Sequence, residues 1–304
     1  MEALLKQPAA APGPSEELRA QLLIRTANWK MLPDIAVKAL AMTRDPNCSI
    51  KDFSTLVESD TKLAMEILRI TNSAFYASRT PILNLKQAVT RLGFAHCRNV
   101  ILSASLGTAM RRFPLAEAWI QMVLWRHSVL TGGIAMALNR KFSLGFFGEE
   151  YTAGLVHDIG RSLLAVAAPM DFSAADPLDF VENSELLNRE RDVVSTDHCE
   201  LGAWFLEQSG IPDTLVSVVR SHHSPGLATE HRSLVALIST ADHMANYLQR
   251  SGSADGYIPE ENPAIEVLFE GNPNHAASLY KTAETIMKDS LREVNSANGP
   301  LGLT

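Results

Sequence analysis

The sequence has few cysteines and no long apolar run. Its three cysteines, Cys48, Cys97 and Cys199, are scattered and form no Cys-x-x-Cys pair. This argues against a disulfide framework and indicates reduced thiols in a cytoplasmic protein. No apolar stretch approaches the ~18 residues that a membrane-spanning helix needs. The N-terminus lacks a basic segment followed by an apolar one, so we expect no secretory signal.

Basic residues are fewer than acidic ones: 27 Lys and Arg against 34 Asp and Glu give a formal net charge of −7. A negative chain is a poor non-specific partner for a nucleic-acid backbone. Apolar residues nevertheless make up 46% of the 304 residues, enough for a substantial core in one large domain or two ordinary ones. Runs that alternate apolar and polar residues are lacking, so we predict an all-α fold.

Helix signals follow one another along most of the chain. The start and stop signals are a capping box at Ser49–Asp52, a cap at Asp60, a cap at Asn84 with Gln87, and a stop at Gly93. Apolar periodicity predicts later helices at about 115–138, 148–158, 188–209, 212–222, 232–249 and 275–294.

The composition changes near residues 108–115. Eight of the nine histidines follow this point and only His96 precedes it. We divide the chain into a tail at 1–20, an N-terminal helical subdomain at 21–110, a second helical subdomain at 111–294, and a tail at 295–304. The tails are predicted to be disordered because they are rich in Pro, Ala, Gly or Asn without an apolar period.

Several histidines and aspartates lie in apolar surroundings. His127, His198 and Asp242 share helix faces with apolar residues three, four or seven positions away. Others lie in the apolar run AGLVHDIGRSLLAV (153–166) and in the segment SHHSP. The complete set of candidate metal ligands is His127, His157, Asp158, His198, His222, His223 and Asp242.

Buried carboxylates need a compensating charge. Ion pairs with Arg161 and Arg126 are one explanation for Asp158 and Asp242, within an ordinary hydrogen-bonded core. A divalent transition metal is the explanation we favour, because it uses both carboxylates and the neutral imidazoles together.

The adjacent pairs suggest more than one ion. Neighbours on a helix point about 100° apart, which suits a dinuclear site or a site at a helix end. Nitrogen and oxygen ligands are compatible with Fe, Mn, Ni, Co or Zn and do not choose among them. Cys199 follows His198 and is expected to point elsewhere on its helix, so we leave it out of the set.

His127, His157, Asp158 and Asp242 match, in order, the pattern of the HD superfamily of metal-dependent phosphohydrolases, named for its His-Asp doublet. The additional His198 and His222–His223 resemble the HD-GYP branch of cyclic-di-GMP phosphodiesterases, in which extra histidines build a two-metal site.

Four other segments resemble the HDOD domain, the HD-related output domain. They are LPDIAVKAL (32–40), ESDTKLAMEILRITNSAFY (58–76), NLKQAVTRLGFAHCRNVILS (84–103) and ERDVVSTDHCELGAWFLEQSGIP (190–212). The resemblance covers about residues 25–250. It implies an all-α bacterial signalling module, most members of which have no assigned catalytic activity.

The chain departs from the HD-GYP pattern in three places. Arg161 replaces the lysine after the doublet; an arginine can hold a phosphate but is not a usable proton donor at neutral pH. The acidic, glycine-rich loop ending in Gly-Tyr-Pro does not follow His223, and GYIP at 256–259 lies after Asp242. Val123 stands where forms with a third metal have a glutamate.

Three functions follow from the resemblance. The first is a signal-transduction output or regulatory module with a divalent-metal site in its HD-like half. Such a module would act through signalling proteins or self-association, and a nucleotide is a candidate ligand. The alternative is a metal-dependent phosphohydrolase or phosphodiesterase that acts on a nucleotide or cyclic dinucleotide, with Arg161 binding phosphate. A diiron oxygen-activating enzyme ranks last. The missing loop favours the non-enzymatic module.

Overall fold

The structure, a computed structural model, describes residues 13–27, 30–43, 45, 47–72, 80–181 and 185–295. The parts of the predicted tails at 1–12 and 296–304, and residues 73–76 of the second HDOD-like segment, lie outside these ranges. Within the described ranges the fold is all-α, as the sequence predicts. No helix there is both long and apolar enough to cross a membrane.

The helices are α1 (Glu16–Arg25), α2 (Asp34–Met42), α3 (Ile50–Glu58), α4 (Thr61–Thr71), α5 (Leu85–Arg111), α6 (Ala118–Phe142), α7 (Glu149–Val156), α8 (Ile159–Ala167), α9 (Phe172–Ala175), α10 (Glu185–Val194), α11 (His198–Gln208), α12 (Asp213–Ser221), α13 (Arg232–Ser251), α14 (Ala264–Leu268) and α15 (Pro273–Asn295).

The predicted caps of three early helices are confirmed. The Ser49 hydroxyl accepts a hydrogen bond from the Asp52 N–H at 3.0 Å, at the start of α3. The Asn84 side chain accepts from the Gln87 N–H at 2.9 Å, at the start of α5. Asp60 caps α4 in the same way. Each cap satisfies backbone donors that the first helical turn leaves without partners.

The predicted stop at Gly93 agrees with the structure, since this residue has non-helical angles (φ 79°, ψ 166°) at a kink that divides α5 into two helical segments. One predicted helix needs correction. The helix predicted at 188–209 is two helices, α10 and α11. Ser195 lies between them with φ 62°, and the Asp197 side chain caps α11. A left-handed residue cannot continue an α-helix.

Buried apolar side chains form two clusters that meet on α5. The N-terminal cluster comes from α2–α5 and includes Phe53 and Ile101. The C-terminal cluster begins at Leu106, farther along α5, and continues to α15. Helix α1 belongs to the second cluster, since Leu18 and Leu22 pack there.

Helix α1 shortens the predicted N-terminal tail, because residues 16–20 form its first half. The Ser15 hydroxyl caps the helix by accepting from the Leu18 N–H at 3.2 Å. The helix packs against α8. A short helix is marginal alone and depends on such tertiary packing, which sequence periodicity did not reveal.

Polar contacts connect α5 to the start of α7. The Asn99 side-chain amide donates to the Phe147 carbonyl at 3.0 Å and to the Glu149 carboxylate at 2.9 Å. One turn farther along both helices, the Ser103 and Thr152 hydroxyls lie 2.7 Å apart and share a hydrogen bond. Helix α7 is thereby held to a helix that belongs to both clusters.

Candidate metal centre

Five parts of the C-terminal cluster bring the candidate ligands together. His127 lies within α6, and His157 and Asp158 form the turn between α7 and α8. His198 begins α11, the His222–His223 pair follows α12, and Asp242 lies within α13. All seven predicted ligands therefore meet in one place.

Two glycines allow the close helix packing that this arrangement needs. A Cβ at Gly154 would lie 2.5 Å from the Cα of Gly132, where α7 crosses α6. A Cβ at Gly160 would collide with the carbonyl group of His198, where α8 meets α11. Larger side chains at these positions would force apart the helices that carry the ligands.

One group of donors surrounds the Oδ2 atom of Asp158. The Nε2 atoms of His127 and His157 both lie 3.6 Å from Oδ2. The same nitrogens lie 2.9 Å and 3.2 Å from the Oδ1 atom of Asp242. We call these four residues, His127, His157, Asp158 and Asp242, the first donor group.

A second group surrounds the other oxygen of Asp158. The Nε2 atoms of His198 and His222 lie 3.4 Å and 3.5 Å from Oδ1. His223 adds its Nε2 atom, 3.1 Å from that of His198. We call Asp158, His198, His222 and His223 the second donor group. Asp158 is shared, with one carboxylate oxygen toward each group.

The Nδ1 atoms of three histidines are anchored away from the centre. His157 Nδ1 donates to the Gly154 carbonyl at 2.9 Å, and His222 Nδ1 donates to the Val219 carbonyl at 3.0 Å. His198 Nδ1 lies 2.9 Å from the buried Glu190 carboxylate. A partner at Nδ1 places the proton there and leaves Nε2 with a lone pair for a metal.

The arrangement of the histidine Nε2 atoms at the centre favours a bound cation over direct contact between these atoms. The Nε2 atoms of His127 and His157 lie 3.2 Å apart, a repulsive contact when both carry lone pairs. The Nε2 atom of His222 is buried and makes no hydrogen bond among the described residues. A cation between such nitrogens and the carboxylate oxygens would satisfy all of them.

The alternative in which arginines compensate the buried carboxylates holds for Asp158, whose partner is Arg161. Arg161 donates to Asp158 at 3.0 Å and forms a two-bond contact with Asp176, at 2.6 Å and 2.8 Å. Burial opposes the charge of Asp158, but His157 and Arg161 outweigh it and hold the pKa of this carboxyl well below its usual range.

Arg126 is not a partner of either carboxylate, contrary to the ion-pair alternative. Its guanidinium donates to the Gln249 side chain at 2.8 Å. Asp242 is stabilised by the histidines instead. Burial opposes its charge, but the close contacts of the His127 and His157 imidazoles with the carboxylate hold the pKa of Asp242 well below its usual range.

Residues 176–181, which follow α9, contact the first donor group through Phe180. The Phe180 ring is buried and lies 4.9 Å from the His127 ring and 4.7 Å from the Arg161 guanidinium. Arg250 holds the segment by donating to the Phe180 carbonyl at 2.7 Å. All three guanidinium nitrogens of Arg161 donate hydrogen bonds to the carboxylates of Asp158 and Asp176. Its predicted contact with a phosphate stays a prediction.

A cavity of about 490 Å³ reaches the centre, where His222 and His223 of the second donor group and Asp242 of the first line it. Arg191 and His243 also line the cavity. It has the volume of an ordinary small-molecule pocket.

Two residues beside the donor groups, Cys199 and Glu190, are not among the predicted site residues. The Sγ atom of Cys199 and one nitrogen each from His198, His222 and His223 are all within 4.8 Å of one another. Cys199 therefore does not point away from the ligands, contrary to what the sequence led us to expect. Burial raises the pKa of the Cys199 thiol to about 11. Glu190 was omitted because its partner, His198, lies beyond an unpredicted helix break.

Comparisons with known proteins agree with this architecture. Residues 30–225 match the HDOD domain family. An uncharacterised protein of Treponema pallidum (strain Nichols) is 22% identical over 274 residues, which cover 89% of this chain and 51% of that protein. The chain thus spans about half the length of that relative.

Two solved structures share the fold. One is an HDOD domain protein of unknown function from Geobacter sulfurreducens, with a TM-score of 0.66 and 20% identity, covering 91% of this chain and 99% of that one. The other, from Shewanella amazonensis SB2B, is described as a candidate phosphohydrolase; its TM-score is 0.63 at 18% identity, covering 91% of this chain and 98% of that one.

Proposed function

From the chain's membership of the HDOD domain family, we propose that it is a regulatory signal-transduction module whose HD-like half is braced by a divalent-metal centre. The two donor groups that share Asp158 carry the metal part of this proposal. Their side chains come from α6, the α7–α8 turn, α11, the end of α12, and α13. A cation held there joins parts of the chain more than a hundred residues apart.

A metal in this position contributes mainly to stability. Because an unfolded chain does not offer a preformed site, the free energy of metal binding adds to the free energy of folding. The residues suit a dinuclear centre, with His127, His157 and Asp242 on one ion, His198, His222 and His223 on the other, and Asp158 between them. Fe, Mn, Ni, Co and Zn are all compatible with these ligands.

The regulatory role would be carried out through other molecules. Signalling proteins, a second copy of the chain and a nucleotide are the partners we propose. The exposed Trp119 and Met122, one turn apart on α6, offer an apolar surface for a protein partner. Non-enzymatic binding is the role we favour, since the Phe180 ring lies against His127 of the first donor group and the Arg161 guanidinium is held by Asp158 and Asp176.

Metal analysis tests the proposal. Protein purified without chelator or nickel affinity resin should contain about two equivalents of transition metal, and Asp158→Ala should lose most of it. Asp192→Ala, an exposed change on α10, should retain the metal. Metal-free wild-type protein that binds none on reconstitution would contradict the metal centre.

A phosphohydrolase is the second candidate, favoured by the cavity at the second donor group. A bound metal pair would polarise a phosphoryl group and lower the pKa of a water molecule. His243 and Arg191 would contact the substrate from the cavity walls. Metal-loaded protein should be assayed on phosphomonoesters, phosphodiesters and cyclic dinucleotides. Turnover that Asp158→Ala abolishes would replace the regulatory proposal with this one; no turnover on any of them is the regulatory expectation.

A further inference from the structure

We infer that Cys199 is a thiolate ligand of the second metal position, which makes this position selective for thiophilic metals. The inference rests on the proposed metal centre and assigns one more ligand to it.

Cys199 lies where the start of α11 is close to the end of α12. Residues 198 and 199 are the first two of α11, and residues 222 and 223 directly follow α12, so two consecutive pairs of side chains come together. The thiol sulfur and one nitrogen from each of three histidines are mutually within 4.8 Å. Four donors at this spacing can converge on a single ion, because metal–nitrogen and metal–sulfur bonds are about 2.0–2.3 Å long.

The surroundings of Cys199 indicate a ligand rather than a core thiol. The side chain is 4% exposed. The His222 Nε2 atom is buried and makes no hydrogen bond among the described residues, and one nitrogen of the same imidazole lies within 4.8 Å of the Cys199 sulfur. Cys97 provides the contrast: it is also buried, but it packs among the apolar side chains of the N-terminal cluster. A buried nitrogen without a partner next to a thiol is the arrangement that a soft metal completes.

The two metal positions would then differ in chemistry. The first donor group offers imidazole and carboxylate only, whereas the second adds sulfur. Thiolate ligands favour Zn²⁺, Co²⁺ and Fe²⁺ over Mn²⁺ and Mg²⁺. We therefore expect a mixed occupancy in which Zn²⁺ takes the second position first.

Cobalt titration of the full chain tests the inference. Metal-free wild-type protein should develop visible Co²⁺ bands and, with the first equivalent, a near-ultraviolet sulfur-to-cobalt charge-transfer band. Cys199→Ser should lose the charge-transfer band. The Cys48→Ser/Cys97→Ala variant, in which Cys199 is the one remaining cysteine, should retain it.

A second measurement does not depend on any variant. X-ray absorption of wild-type protein loaded with one equivalent of Zn²⁺ should show one sulfur neighbour at about 2.3 Å. Visible cobalt bands without a charge-transfer band, or zinc with nitrogen and oxygen neighbours alone, would overturn the role of Cys199 and leave the metal centre intact. A chain that binds no cobalt and no zinc would overturn both.

Discussion

Glu190 holds His198 by two hydrogen bonds: it accepts from the His198 backbone N–H at 2.8 Å and lies 2.9 Å from the same residue's Nδ1 atom. Both side chains are completely buried. The carboxylate thus sets the backbone start of α11 and the orientation of an imidazole that belongs to the second donor group.

Replacement of Glu190 should weaken metal binding at that position. Glu190→Ala removes the acceptor that keeps the proton on Nδ1, and changes to such partners of metal-bound histidines reduce affinity by about 10–100-fold. Glu190→Gln, which retains an acceptor oxygen, should lose less. Competition titration with a chromophoric chelator measures the affinity, with Asp192→Asn on the same helix as the control. Equal affinities in Glu190→Ala and wild type would show that Glu190 acts on the fold alone.

Asp176 should matter for stability more than its position in a loop suggests. It accepts two of the three hydrogen bonds that the buried Arg161 guanidinium donates. Asp176→Ala leaves this cation with Asp158 as its one carboxylate partner, and removal of one member of a buried ion pair costs about 3–5 kcal/mol. Denaturant unfolding measures the loss, with the exposed Asp171→Ala as the control. Arg161→Met/Asp176→Leu should recover part of it; a single-variant cost no larger than that of Asp171→Ala would contradict the prediction.

The stability of the N-terminal cluster should depend on acid through Glu66. Burial opposes its charge, but the hydrogen bond and charge of Arg69, with Arg111, lower the Glu66 pKa below its ordinary 4.5. Arg111 lies at the end of α5 and is 3.1 Å from the carboxylate. Since the folded pKa lies below the unfolded one, the stabilisation is complete above about pH 4.5 and disappears as the pH falls through the lower folded value.

Glu66→Gln isolates this effect. The difference in unfolding free energy between wild type and Glu66→Gln should be largest near pH 7 and should shrink steadily below about pH 4.5. Urea unfolding at a series of pH values measures it. A difference that stays constant down to pH 3 would mean that the pairing of Glu66 with Arg69 and Arg111 contributes nothing that depends on charge.

The cysteines should differ sharply in reactivity. Burial raises the pKa of Cys97 to about 12, and the thiolate is the reactive species. Native protein treated with iodoacetamide at pH 8 should therefore be labelled at the half-buried Cys48 first, with Cys97 labelled only after unfolding. Mass spectrometry of the peptides gives the order. Labelling of Cys97 at the rate of Cys48 would show that the N-terminal cluster opens readily.

Local sequence patterns predicted the helix caps and the core-facing residues, because these features depend on residues that are close together in the chain. The caps at Ser49 and Asn84 act within one turn, and the apolar stripes around His127 and Asp242 identified both residues as core-facing. All seven predicted ligands meet in the structure because the five parts of the chain that carry them pack together. Their binding of metal stays a prediction, as does the division at residue 110, near which the two apolar clusters meet on α5.

Features that arise from packing between distant segments could not be predicted in this way. The break at Ser195 has no Gly or Pro to mark it, and it places Glu190 and His198 on different helices. Cys199 was excluded because it is the neighbour of His198 on one helix, and the sequence does not show that His222 and His223 pack close to both residues. Arg126 pairs with Gln249, 123 positions along the chain, a distance at which periodicity carries no information.

The hydrogen bonds of Asn99 and Ser103 give α7 two attachments. Its C-terminal end enters the turn that carries His157 and Asp158, and its first residues are tied to α5 inside the N-terminal half. Because α7 has only eight residues, the residues that bind α5 and the turn that carries two of the candidate ligands lie within a few turns of each other. The position of this turn is thus fixed relative to a helix of the N-terminal cluster by the hydrogen bonds of Glu149 and Thr152.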